Sequence, residues 1–174
     1  FENNASLVQT TNVTNTGAIE YRRTSSPMKN FDFTYWASPV TGQNIVALSP
    51  NTLADKYFRF DGALNDWVLY NNPATSPTPS TMIPGVGYII RVPKPNFWPV
   101  PTASNWAQPV AFKGVPNNGD YTFTAGAGQF NLLGNPYPSA IDADKFINAN
   151  SGIINGALYF WTHNTAIAPS GSDY

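Results

Sequence analysis

Aromatic and apolar residues alternate with polar ones in short runs along the chain, and turn-forming residues separate these runs. The clearest runs lie at residues 31–36, 57–60, 67–70 and 88–92. A period of two places alternate side chains on opposite faces of a strand. The pattern therefore predicts an all-β protein of antiparallel, sandwich-like units.

Other patterns predict further elements. Additional strands are predicted at residues 5–10, 18–23, 110–114, 120–124 and 157–161. A sustained helical period is almost absent, so at most one or two short helices are expected. The candidates are a helical turn at 49–56, which begins with Ser49 and Pro50, and a short helix at 142–149.

Turn residues divide these elements. Residues 61–66 predict the loop of one hairpin, and Asn117-Asn118-Gly119 predicts a second hairpin between strands 110–114 and 120–124. Two proline-rich stretches, 71–80 and 93–109, are predicted to be long loops. A short strand before Gly134 is predicted to enter a corner fixed by Pro136 and Pro138, since proline cannot donate to a strand ladder.

An internal similarity suggests how these elements are grouped. Residues 36–40 and 133–137 both predict a proline corner, followed by a short helix and an aromatic strand. We therefore expect a piece of a longer polypeptide with three parts. These are an N-terminal β segment at 1–24, a sandwich-like unit at 25–125, and the start of a related second unit at 126–174.

The composition excludes several functional classes. Charged residues form 11% of the chain, the formal net charge is −1, and cysteine is absent. A nearly neutral chain has no basic field for nucleic acid or an anionic membrane. Without cysteine it has no disulfide, thiolate metal site or cysteine nucleophile. No apolar run approaches the roughly 18 residues of a membrane span.

Candidate catalytic and metal-binding groups are few. His163 is the single histidine, which argues against histidine-based catalysis or a zinc site. Asp142 and Asp144 could form a carboxylate pair or contribute to a calcium site, but the start of a short helix suits them better. Asp61 and Asp66 are interpreted as hairpin-loop residues. We expect no catalytic residue and no cofactor.

Aromatic residues offer a different possibility, because they form 14% of the chain. Trp36 and Trp161 lie in predicted strands and are expected to pack inside the sandwich. Phe97, Trp98 and Trp106 lie in the second proline-rich loop, where exposed aromatic rings would be more informative. These three residues are the candidate contacts to a glycan or a protein partner.

Several motifs are similar to those of one group of proteins. They lie at residues 1–9, 35–40, 48–53, 84–91, 114–119, 132–142 and 158–164. In their order and their residues, these motifs resemble those of large secreted proteins of Bacteroidota, of the flavobacterial type. The resemblance implies export by the type IX secretion system, whose machinery would be a partner, and a location outside the cell or at the outer membrane. It also implies that residues 1–23 would suit the end of an upstream β-solenoid.

Two functional hypotheses follow from these observations. The first is a non-enzymatic structural or adhesive module of a secreted or cell-surface protein, which would contact another surface protein or polymer. The second is a carbohydrate-binding accessory module of a secreted polysaccharide-degrading enzyme. An enzyme that uses Asp142, Asp144 or His163 is a weaker third alternative.

Overall fold

The protein is all-β, with two antiparallel sheets in the computed structural model, which describes residues 1–70 and 80–160. The first sheet has three strands in the order β1-β7-β3. Its strands are β1 (Ile19–Thr24), β3 (Val40–Thr41) and β7 (Pro109–Pro116). β1 pairs with β7 from Ile19 opposite Gly114 to Thr24 opposite Pro109, so this part of the N-terminal segment belongs to the first sheet.

The second sheet has four strands in the order β2-β6-β4-β5. These strands are β2 (Phe33–Trp36), β4 (Tyr57–Asp61), β5 (Asp66–Leu69) and β6 (Tyr88–Arg91). β4 and β5 form the predicted hairpin, in which Asp61 lies opposite Asp66. Asp61 and Asp66 are therefore the last and first residues of the two strands rather than loop residues, and the Asp61 side chain closes the loop by accepting hydrogen bonds from the N–H groups of Ala63 and Leu64.

The inner faces of the two sheets share one hydrophobic core, as in a β-sandwich. The four-stranded sheet contributes Tyr57, Tyr88 and Ile90, and the ring of Trp36 meets Phe112 of β7 at 5.9 Å. Trp36 therefore packs inside, as the sequence predicts. The remaining buried members of the core are Tyr21, Val40, Ile45, Leu48, Met82 and Val110.

In residues 1–70 and 80–160, helical structure is confined to short segments. α1 (Ile45–Leu48) begins after Asn44, whose side chain accepts a hydrogen bond from the Ala47 N–H. A single 3₁₀ turn covers Pro95–Phe97, and α2 covers Ala143–Ala149. No helix within the described residues is long and apolar enough to cross a membrane.

The helical turn predicted at 49–56 is wrong in position. The helix precedes it, and Ser49 is the C-terminal cap of α1 rather than the start of a helix. Beyond Ser49 the chain makes separate turns, closed by Thr52 N–H to Ser49 O and by Lys56 N–H to Leu53 O. The predicted helix at 142–149 is confirmed, and Asp142 caps it by accepting from the Lys145 N–H at 3.0 Å.

Three predicted strands do not form in the described residues: 5–10, 120–124 and 157–160. Near the first, the Leu7 N–H donates to Pro138 O in a single contact rather than a ladder. The hairpin predicted around Asn117-Asn118-Gly119 is also absent, because both asparagines bond to distant segments instead. The strand predicted before Gly134 is reduced to one bridge between Leu133 and Val86.

Two compact units are present, Phe1–Ala140 and Ile141–Tyr174. Residues 1–24 and 25–125 lie in the same unit, since β1 pairs with β7. That 126–174 begins a second, related unit stays a prediction, as does the link between residues 1–23 and an upstream solenoid. Trp161 and His163 lie outside the described residues.

Candidate binding surfaces

The outer face of the four-stranded sheet has a cluster of aromatic rings, here called the aromatic face. It consists of Phe33 and Tyr35 on β2, Phe58 and Phe60 on β4, and Trp67 on β5. Strand alternation explains this, since Tyr57 and Trp36 point into the core and their neighbours in the chain point outward. Tyr35 is 38% exposed, and the other four residues are half-buried.

Neighbouring rings of the aromatic face are steeply inclined to each other. Phe33 and Phe58 are 5.9 Å apart at 64°, and Phe60 and Trp67 are 5.4 Å apart at 76°. Tyr35 and Trp67 are 6.3 Å apart at 56°. The first two pairs are favourable edge-to-face arrangements, and the third is tilted. They produce a ridged surface rather than a flat one.

A strained residue extends this surface at the edge of β2. Phe31 has φ +82°, which is rare for a residue with a side chain, and its ring is 52% exposed. The Arg91 guanidinium lies over that ring, 4.3 Å from its centre. Such strain costs about 1–3 kcal/mol and tends to occur at functional positions. Exposed aromatic rings beside an arginine are also typical of protein interfaces.

A polar groove of about 240 Å³ lies elsewhere in the same unit and is here called the Asn118 groove. Its walls come from three segments that are far apart in sequence, within residues 7–12, 118–120 and 137–139. The lining residues are Leu7, Gln9, Thr10, Thr11, Asn12, Asn118, Gly119, Asp120, Tyr137 and Ser139. The groove therefore joins the predicted turn at 117–119 to the proline corner that contains Tyr137.

Tyr137 is fixed at the base of the proline corner. Its hydroxyl donates to Gly119 O at 2.6 Å, and its N–H donates to Asn135 Oδ1 at 2.9 Å. Its ring meets that of Tyr121 edge-on at 5.8 Å. Burial raises the pKa of Tyr137, and the nearby negative charge of Asp120 raises it further. The hydroxyl therefore stays a hydrogen-bond donor.

Asn117 connects the groove to the core of the first unit and is 1% exposed. Its amide group donates to Ser38 O at 3.2 Å and to Pro136 O at 2.8 Å, and it accepts from Thr41 Oγ1 at 2.7 Å. Its backbone N–H donates to Pro39 O. One side chain thus satisfies polar groups of both proline corners, which explains why the chain does not turn back into a hairpin there.

A second, larger groove lies along β1 and β7 and has several basic side chains in its lining. Two of the three basic side chains, Arg22 and Lys113, are in ion pairs. Glu20 binds Arg22 at 2.6 Å and Lys113 at 3.2 Å, and these partners lower the pKa of its carboxyl group. Arg23 donates to the backbone oxygen of Ala5 and lies over the Tyr21 ring. Within the described residues, Arg23 is therefore the one basic side chain of this lining that has no ion pair with a carboxylate.

The candidate contacts Phe97, Trp98 and Trp106 are not exposed together. Trp98 is only 4% exposed and packs with Met28 and Val92 in a small second core, against which Trp106 also packs. Its indole N–H donates to Pro93 O at 2.8 Å. Neither face of the Trp98 ring is open to a ligand. Phe97 is 48% exposed and is the one of the three that lies well open to solvent.

The predicted carboxylates occupy structural positions. Asp142 caps α2, Asp144 lies in its first turn, and Asp66 accepts from the Trp67 N–H. In the part of the chain that the structure describes, no three acidic or histidine side chains cluster as metal ligands. The carboxylate that sequence reasoning missed is Asp120. Only the fold brings it beside Tyr137, so no local pattern could have identified it.

Comparison with known proteins assigns a family. The family model described as "Domain of unknown function (DUF8693)" matches residues 1–174. No curated protein and no solved structure matches the chain. Because the match spans all of its residues, the chain belongs to the DUF8693 family.

Proposed function

We propose that the chain is a non-enzymatic structural and adhesive module of a large secreted or cell-surface bacterial protein. The main support is the aromatic face, where half-buried rings lie on the outer side of a sheet whose inner side forms the core. Exposed apolar patches on soluble domains often mark interaction sites. Adhesion through this face requires no chemical reaction with the surface that is bound.

The shape of the aromatic face favours a protein partner over a sugar polymer. Adjacent rings inclined at 56–76° form ridges and hollows that suit side chains of another protein. Sugar rings stack best on flat, exposed ring faces, and a steeply inclined neighbour blocks that approach. The Arg91–Phe31 pair adds a cation at the rim, where an acidic partner residue could bind.

The location is part of the proposal. The resemblance to flavobacterial secreted proteins supports export by the type IX secretion system, with its machinery as the partner during transport. Low charge and the absence of cysteine agree with this but do not require it. Fractionation of cells that make the full-length protein is expected to find it at the surface, and disabling the secretion system is expected to retain it in the periplasm.

A second candidate function is a carbohydrate-binding accessory module. The observation that favours it is the Asn118 groove, which combines a tyrosine ring with polar side chains. Phe97, Trp98 and Trp106 support it less than the sequence suggested, because Trp98 is closed off in a core. Such a module would hold a neighbouring catalytic domain on the polysaccharide that the domain degrades.

Adhesion can be tested with beads coated with the chain and cells of the producing species. The beads are expected to be retained, and Trp67→Ala is expected to lower the affinity at least about tenfold, as for an interface hot spot. Phe160→Ala is the matched control, since it removes an exposed ring that does not belong to the aromatic face. Equal loss in both variants, or no loss in Trp67→Ala, would contradict the proposal.

The same assay identifies the class of partner. Treating the cells with protease is expected to abolish retention, whereas periodate oxidation of surface glycans is expected to leave it intact. The reverse result would favour the carbohydrate-binding alternative. Circular dichroism of each variant checks that the loss does not come from unfolding.

A further inference from the structure

We propose that the Asn118 groove binds a single ring of a neutral saccharide, at a site separate from the aromatic face. The inference goes beyond adhesion through that face and gives the second candidate function a location. Three properties of the groove support it: fixed walls, side chains without partners, and the absence of cationic residues from its lining.

The walls of the groove are held before any ligand arrives. Asn118 donates from its amide to Thr11 O at 2.7 Å and to Val13 O at 2.9 Å, which fastens one wall to the other. Gln9 donates to Asn117 O at 2.8 Å, and the Leu7 N–H donates to Pro138 O at 2.8 Å. Preorganised walls reduce the entropy lost on binding.

Several polar side chains at the groove are still available for a ligand. Within residues 1–70 and 80–160, the side chains of Thr10, Asn12, Asp120 and Ser139 form no hydrogen bond or ion pair. Hydroxyl, amide and carboxylate groups together offer both donors and acceptors, as the hydroxyls of a sugar require. The Tyr137 ring adds an apolar surface for the C–H groups of a sugar.

The chemistry of the lining favours a neutral ligand. Asp120 is the one charged residue in the lining, so a phosphate or sulfate would be repelled, and a single carboxylate is too little to hold a metal ion. At about 240 Å³ the groove is also smaller than the ~300–1,000 Å³ typical of pockets for drug-sized ligands. It has room for about one sugar ring.

An extended peptide fits the groove less well. Peptides usually bind to such surfaces through free backbone groups. Here the carbonyls of Thr11, Gly119 and Pro138 already accept hydrogen bonds from within the protein. The groups that remain are side chains, which suit hydroxyls better than a peptide backbone.

The test is a titration of the ¹⁵N-labelled chain with the methyl glycosides of glucose, galactose, mannose and N-acetylglucosamine, followed by amide chemical shifts. At least one sugar is expected to shift residues 10–12 and 118–120 saturably in the millimolar range. Asp120→Ala is expected to weaken binding roughly tenfold or more, since hydrogen bonds to charged groups are strong. Asp144→Ala, which removes an exposed carboxylate on α2, is the matched control and is expected to change nothing.

Three outcomes would overturn the proposal. They are no saturable shift in the groove with any of the four glycosides at tens of millimolar, equal shifts with the polar peptide acetyl-Ser-Asn-Thr amide, and sugar shifts that Trp67→Ala abolishes. Trp67→Ala also separates this inference from the proposed adhesion. It is expected to lose cell binding and keep sugar binding, so each proposal can fail without the other.

Discussion

Replacing Asn117 with alanine tests how the proline corners are held together. The side chain is almost wholly buried and donates to the carbonyl oxygens of Ser38 and Pro136. Alanine removes both donors and leaves these two oxygens without a partner in a place that water cannot easily reach. Thr41 also loses its acceptor, but it lies at the surface and can bond to water instead.

The cost follows from the number of groups left unsatisfied. A buried polar group without a partner lowers the free energy of unfolding by about 1–3 kcal/mol. Two such oxygens are expected to lower it by about 2–4 kcal/mol, since the structure around them can adjust in part. For a chain of this length, each 1 kcal/mol lowers Tm by roughly 2–4 °C. Asn117→Ala is therefore expected to lower Tm by roughly 5–15 °C.

Asn118 provides a matched control next in the chain. Its amide also makes two hydrogen bonds to backbone oxygens, but in an exposed setting where water can replace it. Asn118→Ala is expected to cost less than about 1 kcal/mol. Urea unfolding followed by tryptophan fluorescence measures both variants, and an unchanged m-value shows that the change is one of stability. Equal losses in the two variants would refute the idea that burial makes Asn117 important.

Three further predictions concern other parts of the fold. Trp98→Ala is expected to cost about 3–5 kcal/mol in thermal unfolding, whereas Phe97→Ala, next to it and exposed, is expected to cost less than about 1 kcal/mol. Burial raises the pKa of Tyr57 to about 12, so the stabilisation from its neutral hydroxyl is full below its unfolded pKa of about 10 and is lost as the pH rises through 12. Tyr57→Phe is expected to flatten this alkaline decline in a pH series of urea unfolding, and an unchanged decline would contradict it. Gly134→Ala is expected to cost at least about 1–3 kcal/mol, because its new methyl group would meet Ala37 and lie 2.8 Å from Val86 O. Gly152→Ala, which meets nothing within 4 Å, is the control and is expected to leave Tm unchanged.

The sequence predicts elements well where their partners are close in the chain. The β4–β5 hairpin depends on a short loop and alternating residues, and both are visible locally. The hairpin predicted after β7 fails for the opposite reason. Asn118 bonds to Thr11, which is 107 residues away, and Asn117 bonds to Thr41, which is 76 residues away. Turn propensity depends on neighbouring residues and therefore carries no information about such distant partners.

Alternation alone also leaves open which side of a strand faces the core. The pattern at 31–36 shows that Phe33 and Tyr35 share a side, but the core takes Trp36 from the other side. The pairing of β2 with β6, which places Trp36 opposite the buried Tyr88, shows why Trp36 packs inside as predicted. Trp98 shows a related limit. The proline-rich loop suggests that Trp98 is exposed, yet its indole is buried in a small second core.

The two proline corners that are similar in sequence are also similar in their hydrogen bonds. At the position before proline, Ser38 Oγ accepts from the Val40 N–H at 3.3 Å, and Asn135 Oδ1 accepts from the Tyr137 N–H at 2.9 Å. The two corners therefore close the same kind of side-chain turn.

Equivalent positions of the corners also lie against each other. A methyl group on Gly134 would meet Ala37, which holds the corresponding place in the first corner. The Asn117 amide binds both corners at once. Gly134 has to be small where the corners meet, because a methyl group there would overlap with Ala37 and Val86 O. An alanine that is tolerated at 134 would therefore contradict this packing argument.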